Sequence, residues 1–504
     1  MKKIKIALYM LAIGSLFASC EDTLDIVQSG QVSPAETYVD YESIEKNFYG
    51  IYMTVSTSSQ IGFNSIWTDE NAIGVANGGQ GISDGMWSYV LNASSGYASS
   101  IWSSNYSTIN NCNRFIKSVN TYLSTNTVDA DELAKINQLL VEVRGLRAFA
   151  YHELMTYFVT DYTNDSGLAV MLYDDVPTLG SPNLPRATVG EVYQFINEEL
   201  DFLEANYDVS LATEIQNDQA KQFFVSKGFS YALRARMNLY RKNYSEAIAY
   251  ANLALGETPL SANSTYAAIW NDTGVADIIF KLSRTPNNSK IGTTWASISV
   301  DPRSGSQFYE VGRSLYNLSI ETGANADVRK NVITHSSSIV APNYTQTINY
   351  RAEDVLSVGK YASSEGTRLL ADLKVFRASE MALIKAEAYL FLNQTTESQN
   401  ALNDLRSKRL TGAGSARTFG SDFQNNLRYI LTERRLELAF EGFRWVDIKR
   451  LGTAANVTFD RDAMDCAFNN TCNSAPDASS YKFTLPIPAS EISSNTLMQQ
   501  NPGY

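Results

Sequence analysis

The sequence predicts a mainly α-helical protein built from helix pairs, with an irregular, loop-rich face for ligand binding. Apolar residues recur every three or four positions over long segments, which is the spacing of a buried helix face. Between these segments the chain is rich in Ser, Gly and Asn, over residues 54–105 and 260–350, and carries most of its tryptophans there. Loops of such length in a compact protein usually have a role of their own, and that role is typically binding.

The first long helices are predicted from this spacing. Residues 135–158 carry an apolar stripe with a period of three to four, and residues 189–207 carry another. Thr188 precedes the second stripe and is a residue type that caps helix N-termini. We therefore expect two helices here, the second beginning after Thr188.

The segment 228–259 is the clearest structural signal. It reads as an apolar helix, a short polar turn, a second helix and a proline that ends it. The signature positions of a tetratricopeptide repeat that begins at Gly228 are filled by Tyr231, Ala235, Ala247, Ala254 and Pro259. A looser helix pair follows over residues 381–409. Each pair must bury its remaining apolar face on a neighbour, so we expect the pairs to stack into an α/α superhelix.

The composition is that of a mildly acidic globular protein. The chain has 504 residues, a formal net charge of −12 and 44% hydrophobic residues. A negative charge argues against nucleic-acid binding, which needs a basic face to displace counterions from phosphate. With only His152 and His335 in the chain, little histidine-based chemistry is available. No cysteine and histidine cluster has metal-ligand spacing, and we expect no metal or other cofactor.

The N-terminus has the pattern of a secretory signal. Lysines precede an apolar stretch over residues 6–17, and small residues lead to Cys20. A cysteine at this position is typical of a lipoprotein, in which its thiol is acylated and anchors the chain to a membrane. The alternative is ordinary signal cleavage with an incidental cysteine. We interpret residues 1–19 as a lipoprotein signal peptide and Cys20 as the lipidation site.

The other cysteines do not form a disulfide scaffold. Cys112 lies in a helical pattern and is predicted to be a buried thiol. Cys466 and Cys472 could pair in an oxidising compartment, and the sequence leaves this open.

Two short motifs have a catalytic or metal-binding interpretation. Residues 81–85 read Gly-Ile-Ser-Asp-Gly, which matches a nucleophile elbow around Ser83, but no apolar strand precedes them. A glycine-rich surface loop is the favoured interpretation. Asp460, Asp462 and Asp465 could offer oxygens to calcium, but they lack the spacing of a calcium loop, which favours a solvated acidic loop.

The run from Glu433 to Trp445 is dense in charge and is predicted to be helical. Glu433, Glu437 and Glu441 are four residues apart and would share one face of a helix. We expect arginines of this run and of neighbouring helices to form ion pairs with these acids, rather than a catalytic centre, because no titratable group with a convergent pocket can be named.

The loop tryptophans are the candidate ligand-binding residues. An aromatic ring offers a flat apolar surface to the C–H face of a sugar or to a peptide side chain, while neighbouring polar groups fix its orientation. The predicted ligand-binding residues are Trp67, Asp69, Trp87, Trp295 and Tyr309. Alanine at the three tryptophans should weaken binding without unfolding the protein. The remaining tryptophans lie in more regular patterns and are expected in the core; they are Trp102, Trp270 and Trp445.

Several segments together resemble the SusD/RagB family of outer-membrane nutrient-binding lipoproteins of Bacteroidetes. The closing Pro-Ile-Pro segment, the final Gln-Asn-Pro-Gly-Tyr and the Glu-Arg-Arg helix are the more specific of them. The segments that carry the resemblance are residues 102–113, 142–158, 381–409, 433–452, 485–492 and 500–504, together with Cys20.

The resemblance implies a helical body with four tetratricopeptide-like helix pairs and partnership with a TonB-dependent outer-membrane barrel of the SusC type. It also implies a location at the outer membrane, lipid-anchored and facing the cell exterior. The resemblance thus implies that the protein captures a nutrient and acts as a lid that encloses it in the transporter. It implies no catalysis, because no covalent bond of the nutrient is made or broken. The family's ligand contacts vary widely, so the resemblance assigns no ligand-contact residue.

We therefore divide the chain into a signal peptide (1–19), an N-terminal SusD-like region (20–230), a repeat core (228–259) and a C-terminal SusD/RagB region (260–504). The favoured function is the binding of oligosaccharides for uptake, with oligopeptides as the alternative ligand in the same architecture. A hydrolase built on residues 81–85 or on two carboxylates, and a repeat scaffold that binds only another protein, are the other hypotheses.

Overall fold

The computed structural model describes residues 37–74, 76–79, 85–177, 183–216, 221–320, 326–340, 354–411, 415–463, 465 and 474–504. Helices dominate these residues, and the strands among them are short. In chain order the α-helices are α1 (Tyr41–Thr54), α2 (Ser58–Trp67), α3 (Gly96–Thr125), α4 (Ala130–Phe158), α5 (Val189–Asn206), α6 (Val209–Gln216), α7 (Lys227–Tyr240), α8 (Tyr244–Glu257), α9 (Asn263–Trp270), α10 (Arg313–Ile320), α11 (Lys330–Ile333), α12 (Ala378–Phe391), α13 (Thr395–Ser407), α14 (Phe423–Glu437), α15 (Arg444–Ala455) and α16 (Ala489–Ser494).

The two helices predicted from the first apolar stripes are present as α4 and α5. Thr188 caps α5: its side chain accepts a hydrogen bond from the backbone N–H of Glu191, and the Glu191 side chain accepts one from the Thr188 backbone. This reciprocal pair is a capping box, which satisfies two N–H groups that the helix itself leaves unpaired. The apolar face of α5 packs on α4.

The helix pairs of the repeat core are also present, and the predicted fold class is confirmed. Helices α7 and α8 form one antiparallel pair, and α12 and α13 form a second. Ala247, Ala251 and Ala254 are fully buried along α8, where their small side chains let α7 and α8 approach closely. Helix α8 also packs on α12, so the two pairs stack as the repeat pattern requires.

The strands join segments that are far apart in sequence. All strand pairs of the described residues are antiparallel, and each makes a two-stranded ladder. The pairs are β1 (Asn71–Ile73) with β5 (Tyr309–Val311), β2 (Ile278–Leu282) with β9 (Leu373–Arg377), β3 (Ala296–Ser297) with β4 (Ser306–Gln307), β6 (Ala326–Asp327) with β10 (Leu410–Thr411), and β7 (Ser363–Ser364) with β8 (Thr367–Arg368).

Both segments predicted as long loops contain helices, so this part of the prediction is wrong. Residues 54–105 include α2 and the start of α3, and residues 260–350 include α9 and α10. Every residue of α2 from Gln60 to Trp67 is buried. Its buried positions include the polar residues Gln60 and Asn64, which donate hydrogen bonds to Glu153 and Tyr157. These polar residues interrupt the apolar spacing by which a buried helix face is recognised in a sequence.

The charged run does not continue as one helix. Helix α14 ends at Glu437 and α15 begins at Arg444, with a turn between them in which Phe440 and Gly442 have φ of 62° and 90°. The expected ion pairs are present and buried. The carboxylate of Glu437 binds Arg377 and Arg409, each at 2.9 Å. Burial alone would raise the pKa of Glu437, but the surrounding guanidinium groups hold it well below its ordinary value.

One hydrophobic core extends from Ile44 in α1 to Met498 near the C-terminus, so N-terminal and C-terminal helices pack around the same interior. Cys112 is a buried free thiol, as predicted. Cys20, Cys466 and Cys472 lie outside the described residues. Within the described part of the chain, no helix combines the length and the apolar character needed to cross a membrane.

Candidate functional site

An irregular surface forms where three loop segments meet, and we call it the loop face: residues 76–79, 298–308 and 335–340. Backbone hydrogen bonds hold the first two segments together. The N–H of Ala76 donates to the carbonyl of Gln307 at 3.1 Å, and the Asn77 amide donates to the carbonyl of Phe308 at 2.9 Å. The third segment is close to the second, since Arg303 Nη1 lies 3.5 Å from the Ser337 carbonyl oxygen.

The central part of the loop face is the connection between β3 and β4, which is tightly folded. The N–H of Gly305 donates to the Asp301 carbonyl at 2.8 Å, and the Gln307 amide donates to the Val300 carbonyl at 3.0 Å. A Cβ at Gly305 would lie only 1.9 Å from the Ser299 carbonyl oxygen, so the backbones approach at a distance that only glycine permits. This loop therefore presents its exposed side chains in a fixed arrangement.

Ile298 is the most unusual residue of the loop face. It is 69% exposed, and its φ of 64° lies in the left-handed region. This conformation is a genuine outlier for a β-branched residue and costs free energy. Strained backbone of this kind clusters at binding and catalytic sites. Ile339 and Val340, which are 37% and 39% exposed, add two further aliphatic side chains to the same face.

The loop face also contains polar groups. The Asp301 carboxylate accepts a hydrogen bond from the backbone N–H of Arg303 at 2.9 Å, and the Arg303 side chain is exposed. His335 Nδ1 lies 2.7 Å from the Ser337 hydroxyl, and burial lowers the pKa of His335 although Asp301 opposes this. The loop face thus combines exposed apolar surface with hydrogen-bond donors and acceptors, the composition of a binding site.

The predicted tryptophans lie in the interior. Trp67 packs against Phe63 in a stacked arrangement at 5.8 Å, and both residues are fully buried. The ring of Trp87 is covered by the guanidinium group of Arg461 at 3.7 Å. Trp295 stacks on Tyr361 at 5.8 Å. The premise that these rings are exposed in loops was wrong, because side chains distant in sequence cover them. Their contact with a ligand stays a prediction that would require the rings to be uncovered.

Asp69 is also buried, and it is the centre of an ion-pair cluster. Arg444 Nε and Nη2 donate to its two carboxylate oxygens, both at 2.8 Å, and Arg435 Nη2 lies 3.2 Å from Oδ2. Burial alone would raise the pKa of Asp69, but Arg435 and Arg444 hold it well below its ordinary value. The carboxylate therefore remains ionised and joins the end of α2 to α14 and α15.

The structure brings three of the five predicted residues together beneath the loop face. Tyr309 pairs with Ile73 in the β1–β5 ladder, which begins two residues after Asp69. The carbonyl of Trp295 accepts hydrogen bonds from the N–H groups of Phe308 and Tyr309, at 2.7 and 3.1 Å. Trp295, Tyr309 and Asp69 thus support the loop face from below.

The exposed residues of the loop face were missed by the sequence analysis. Val300, two residues later, is equally aliphatic and is buried at 7% exposure, so nothing in the local sequence marks Ile298 as the exposed one. Its left-handed backbone depends on contacts with β4 and could not be anticipated. Residues 80–84, which include Ser83 of the possible nucleophile elbow, lie outside the described residues.

Imidazole, thiol and carboxylate side chains, the usual protein ligands of metal ions, are scattered over the described part of the chain. No set of three or more His, Cys, Asp or Glu side chains there is arranged to hold a metal ion. Asp465, one of the three loop aspartates, instead accepts a hydrogen bond from the backbone N–H of Arg313 at 2.9 Å.

Comparison with known proteins gives consistent results. Residues 232–504 match the model of the SusD family. The whole chain aligns with the whole of SusD-like protein P2 from Formosa agariphila, at 25% identity over 540 residues. It superposes on the crystal structure of a SusD superfamily protein from Bacteroides thetaiotaomicron with a TM-score of 0.73 and 22% identity, covering 92% of this chain and 100% of the other. For surface glycan-binding protein A from Bacteroides uniformis the TM-score is 0.65, with 20% identity and coverage of 92% and 99%.

Proposed function

This chain belongs to the SusD family, and from that premise we propose that it is a cell-surface lipoprotein that binds oligosaccharides and delivers them to a TonB-dependent outer-membrane transporter. The observation that carries the proposal is the loop face, where a rigid turn holds Ile298 exposed in a strained backbone conformation. Such strain is retained where a binding surface needs a fixed side-chain arrangement.

The chemistry of the loop face suits a sugar ligand. A sugar ring has an apolar C–H face and a rim of hydroxyl groups that both donate and accept hydrogen bonds. Ile298 and Ile339 offer apolar surface, while Arg303, Asp301 and His335 offer donors and acceptors beside it. A neighbour of the same fold is a surface glycan-binding protein, which supports a glycan as the ligand class.

Oligopeptides are a second candidate ligand in the same architecture. The exposed large apolar side chains on the described part of the loop face are aliphatic, namely Ile298, Ile339 and Val340. Aliphatic side chains form pockets for peptide side chains as readily as for sugars, whereas aromatic plates would favour sugars. The proposal in either form includes no catalytic step, and hydrolysis of a bound glycan or peptide by the purified protein would contradict it.

Ligand class can be tested by isothermal titration calorimetry. The protein would begin at Glu21, which keeps every residue that the structure describes, and would be titrated with panels of oligosaccharides and oligopeptides. We expect at least one oligosaccharide to bind. The double variant Ile298→Asn, Arg303→Ala should weaken this binding about tenfold or more, since contacts at the centre of a binding surface carry most of its energy.

A matched control makes comparable changes away from the loop face, replacing an exposed aliphatic residue with Asn and an exposed cationic residue with Ala. Leu497 is exposed near the C-terminus and Lys46 is exposed on α1. The double variant Leu497→Asn, Lys46→Ala should bind as tightly as the unmodified protein. Binding to peptides alone would select the second candidate, and binding to neither panel would overturn the proposal.

Anchoring and delivery need separate tests. Palmitate labelling in cells should be lost in a Cys20→Ala variant, which would then be released from the outer membrane. Affinity purification of the lipidated protein should recover a SusC-like barrel as its partner. Absence of the label from the unmodified protein would contradict the proposed anchor, and recovery of no barrel would contradict delivery to a transporter.

A further inference from the structure

A second polar cavity, separate from the loop face, opens between α10, α14 and residues 457–462. Its volume is about 460 Å³, within the range of small-molecule sites, and it shares no lining residue with the loop face. We call it the Arg435 pocket.

Arg435 contributes a buried donor to this pocket. Its side chain is only 8% exposed, and Nη2 donates to the Asp69 carbonyl at 3.1 Å and to the Ser314 hydroxyl at 2.6 Å. Its Nε is buried and has no hydrogen-bond partner among the described residues. A buried guanidinium N–H without a partner is costly, and nearly all such groups in proteins are paired. Arg435 lines the cavity, so its guanidinium group is the cationic donor that the pocket offers to a ligand.

Acceptors and apolar surface face the same cavity. Asp460 is fixed in place because its backbone N–H donates to Asp69 Oδ2 at 2.8 Å. Thr432 lines the pocket from α14, and neither Thr432 nor Asp460 uses its side-chain oxygens to hydrogen-bond another described residue. The side chains of Leu431 and Val457 provide an apolar wall.

We propose that the Arg435 pocket binds a neutral sugar residue. A guanidinium donor, a carboxylate acceptor and a hydroxyl together match neighbouring sugar hydroxyls, and the apolar wall matches the C–H face of the ring. The charges at the pocket balance, because Arg428, Arg435 and Arg444 are matched by Asp69, Asp460 and Asp462. A uronate is disfavoured because Asp460 would repel its carboxylate.

This inference rests on the proposed function, since it adds a second contact to the same ligand class. Two sugar sites on one chain favour an oligosaccharide long enough to reach both, because the second contact then forms within a complex that already exists. A monosaccharide, which can occupy only one site at a time, would bind no more tightly because of the second site.

The test uses the full chain in detergent and saturation-transfer NMR with three hexoses, glucose, galactose and mannose, each paired with its uronate. All proteins carry Ile298→Asn and Arg303→Ala, which suppress any signal from the loop face. At least one hexose should bind and its uronate should bind more weakly. Thr432→Trp, which fills the pocket, should abolish the hexose signal. Thr453→Trp, at an exposed position of α15 outside the pocket, is the control and should leave the signal unchanged.

Asp460→Asn tests the basis of selectivity. Removing the carboxylate charge should narrow the preference for the hexose over its uronate by about tenfold. The inference is overturned if no hexose binds, if Thr432→Trp leaves the signal unchanged, or if hexose and uronate bind equally before Asp460 is changed. These results leave the proposed function intact as long as oligosaccharides bind the loop face in calorimetry, whereas failure of the oligosaccharide and peptide panels overturns the function itself.

Discussion

Asp69 and Arg444 form a bidentate ion pair in the interior, with two hydrogen bonds of 2.8 Å between residues 375 positions apart. Asp69 follows the end of α2, and Arg444 begins α15. The pair therefore fixes the N-terminal helices against the C-terminal ones. It also places β1, which starts at Asn71, where it can pair with β5 and support the loop face.

Substitution of Asp69 should be strongly destabilising. Asp69→Asn keeps the shape of the side chain but leaves Arg444 and Arg435 without their counter-charge in the interior. We expect a loss of about 3–5 kcal/mol in the free energy of unfolding, measured by urea denaturation.

The control for this substitution is a surface ion pair. Glu42 and Lys46 lie 2.6 Å apart on α1, and both side chains are more than two-thirds exposed. Glu42→Gln should leave the free energy of unfolding almost unchanged, because solvent screens exposed pairs. A similarly small cost for Asp69→Asn would show that the buried pair does not hold the two parts of the fold together.

Trp295, which lies beneath the loop face, should contribute mainly to the stability of the fold. Trp295 stacks on Tyr361 and contacts Phe440 edge to face. Trp295→Ala should lower the free energy of unfolding by about 3–5 kcal/mol, and Trp295→Phe by roughly 1–2 kcal/mol, since the second keeps a ring in the cavity. Thermal and urea denaturation would measure both. A Trp295→Ala protein of unchanged stability that loses ligand affinity would instead support direct ring contact with the ligand.

Ile298, the strained residue of the loop face, should contribute to ligand binding and not to the stability of the fold. Asn tolerates a positive φ better than a β-branched residue does, and Ile298 buries little surface. Ile298→Asn should therefore leave the free energy of unfolding unchanged or raise it by about 1 kcal/mol, while it weakens ligand binding. Leu497 is also exposed but does not have a positive φ, so Leu497→Asn should not raise the free energy of unfolding. Marked destabilisation by Ile298→Asn in urea denaturation would mean that the side chain has a structural role.

The parts of the fold that could be predicted from the sequence are those specified by neighbouring residues. The capping of α5 depends on Thr188 and Glu191, three residues apart, and the pairing of α7 with α8 depends on small residues within one repeat. Helix α2 could not be predicted, because polar residues occupy several of its buried positions and interrupt the apolar spacing of a helix.

The candidate site was located only in part, for a similar reason. The composition around Trp295 predicts a loop near a binding surface, and the loop face lies next to this residue. That a ligand binds there stays a prediction. The ring itself is covered by Tyr361 and Phe440, which come much later in the chain. Local composition carries no information about such contacts, and the same holds for the φ of Ile298, which depends on the fit of its loop against β4.

Stability should depend on pH through Glu142, which is buried in α4. Burial raises the pKa of Glu142 to about 7, although hydrogen bonds from Tyr52 Oη at 2.6 Å and Gln138 Nε2 at 3.2 Å oppose this. Its ordinary value is 4.5. Between these two values the folded protein holds a proton that the unfolded chain has released. The contribution of Glu142 to stability is therefore fully present below about pH 4.5 and is lost as pH rises through about 7.

Glu142→Gln removes this titration while keeping the shape of the side chain. The free energy of unfolding of the variant, relative to the unmodified protein, should rise by about 2.5 kcal/mol between pH 5 and pH 8, since each pKa unit corresponds to about 1.4 kcal/mol. Glu70 and Glu153, whose pKa burial also raises to about 7, titrate in both proteins and cancel in the difference. Asn252→Ala, at an exposed position of α8, changes no titratable group and should give a difference that does not vary with pH. A flat difference for Glu142→Gln as well would mean that Glu142 is ionised in the folded protein at neutral pH, and that the surrounding hydrogen bonds outweigh the cost of burying its charge.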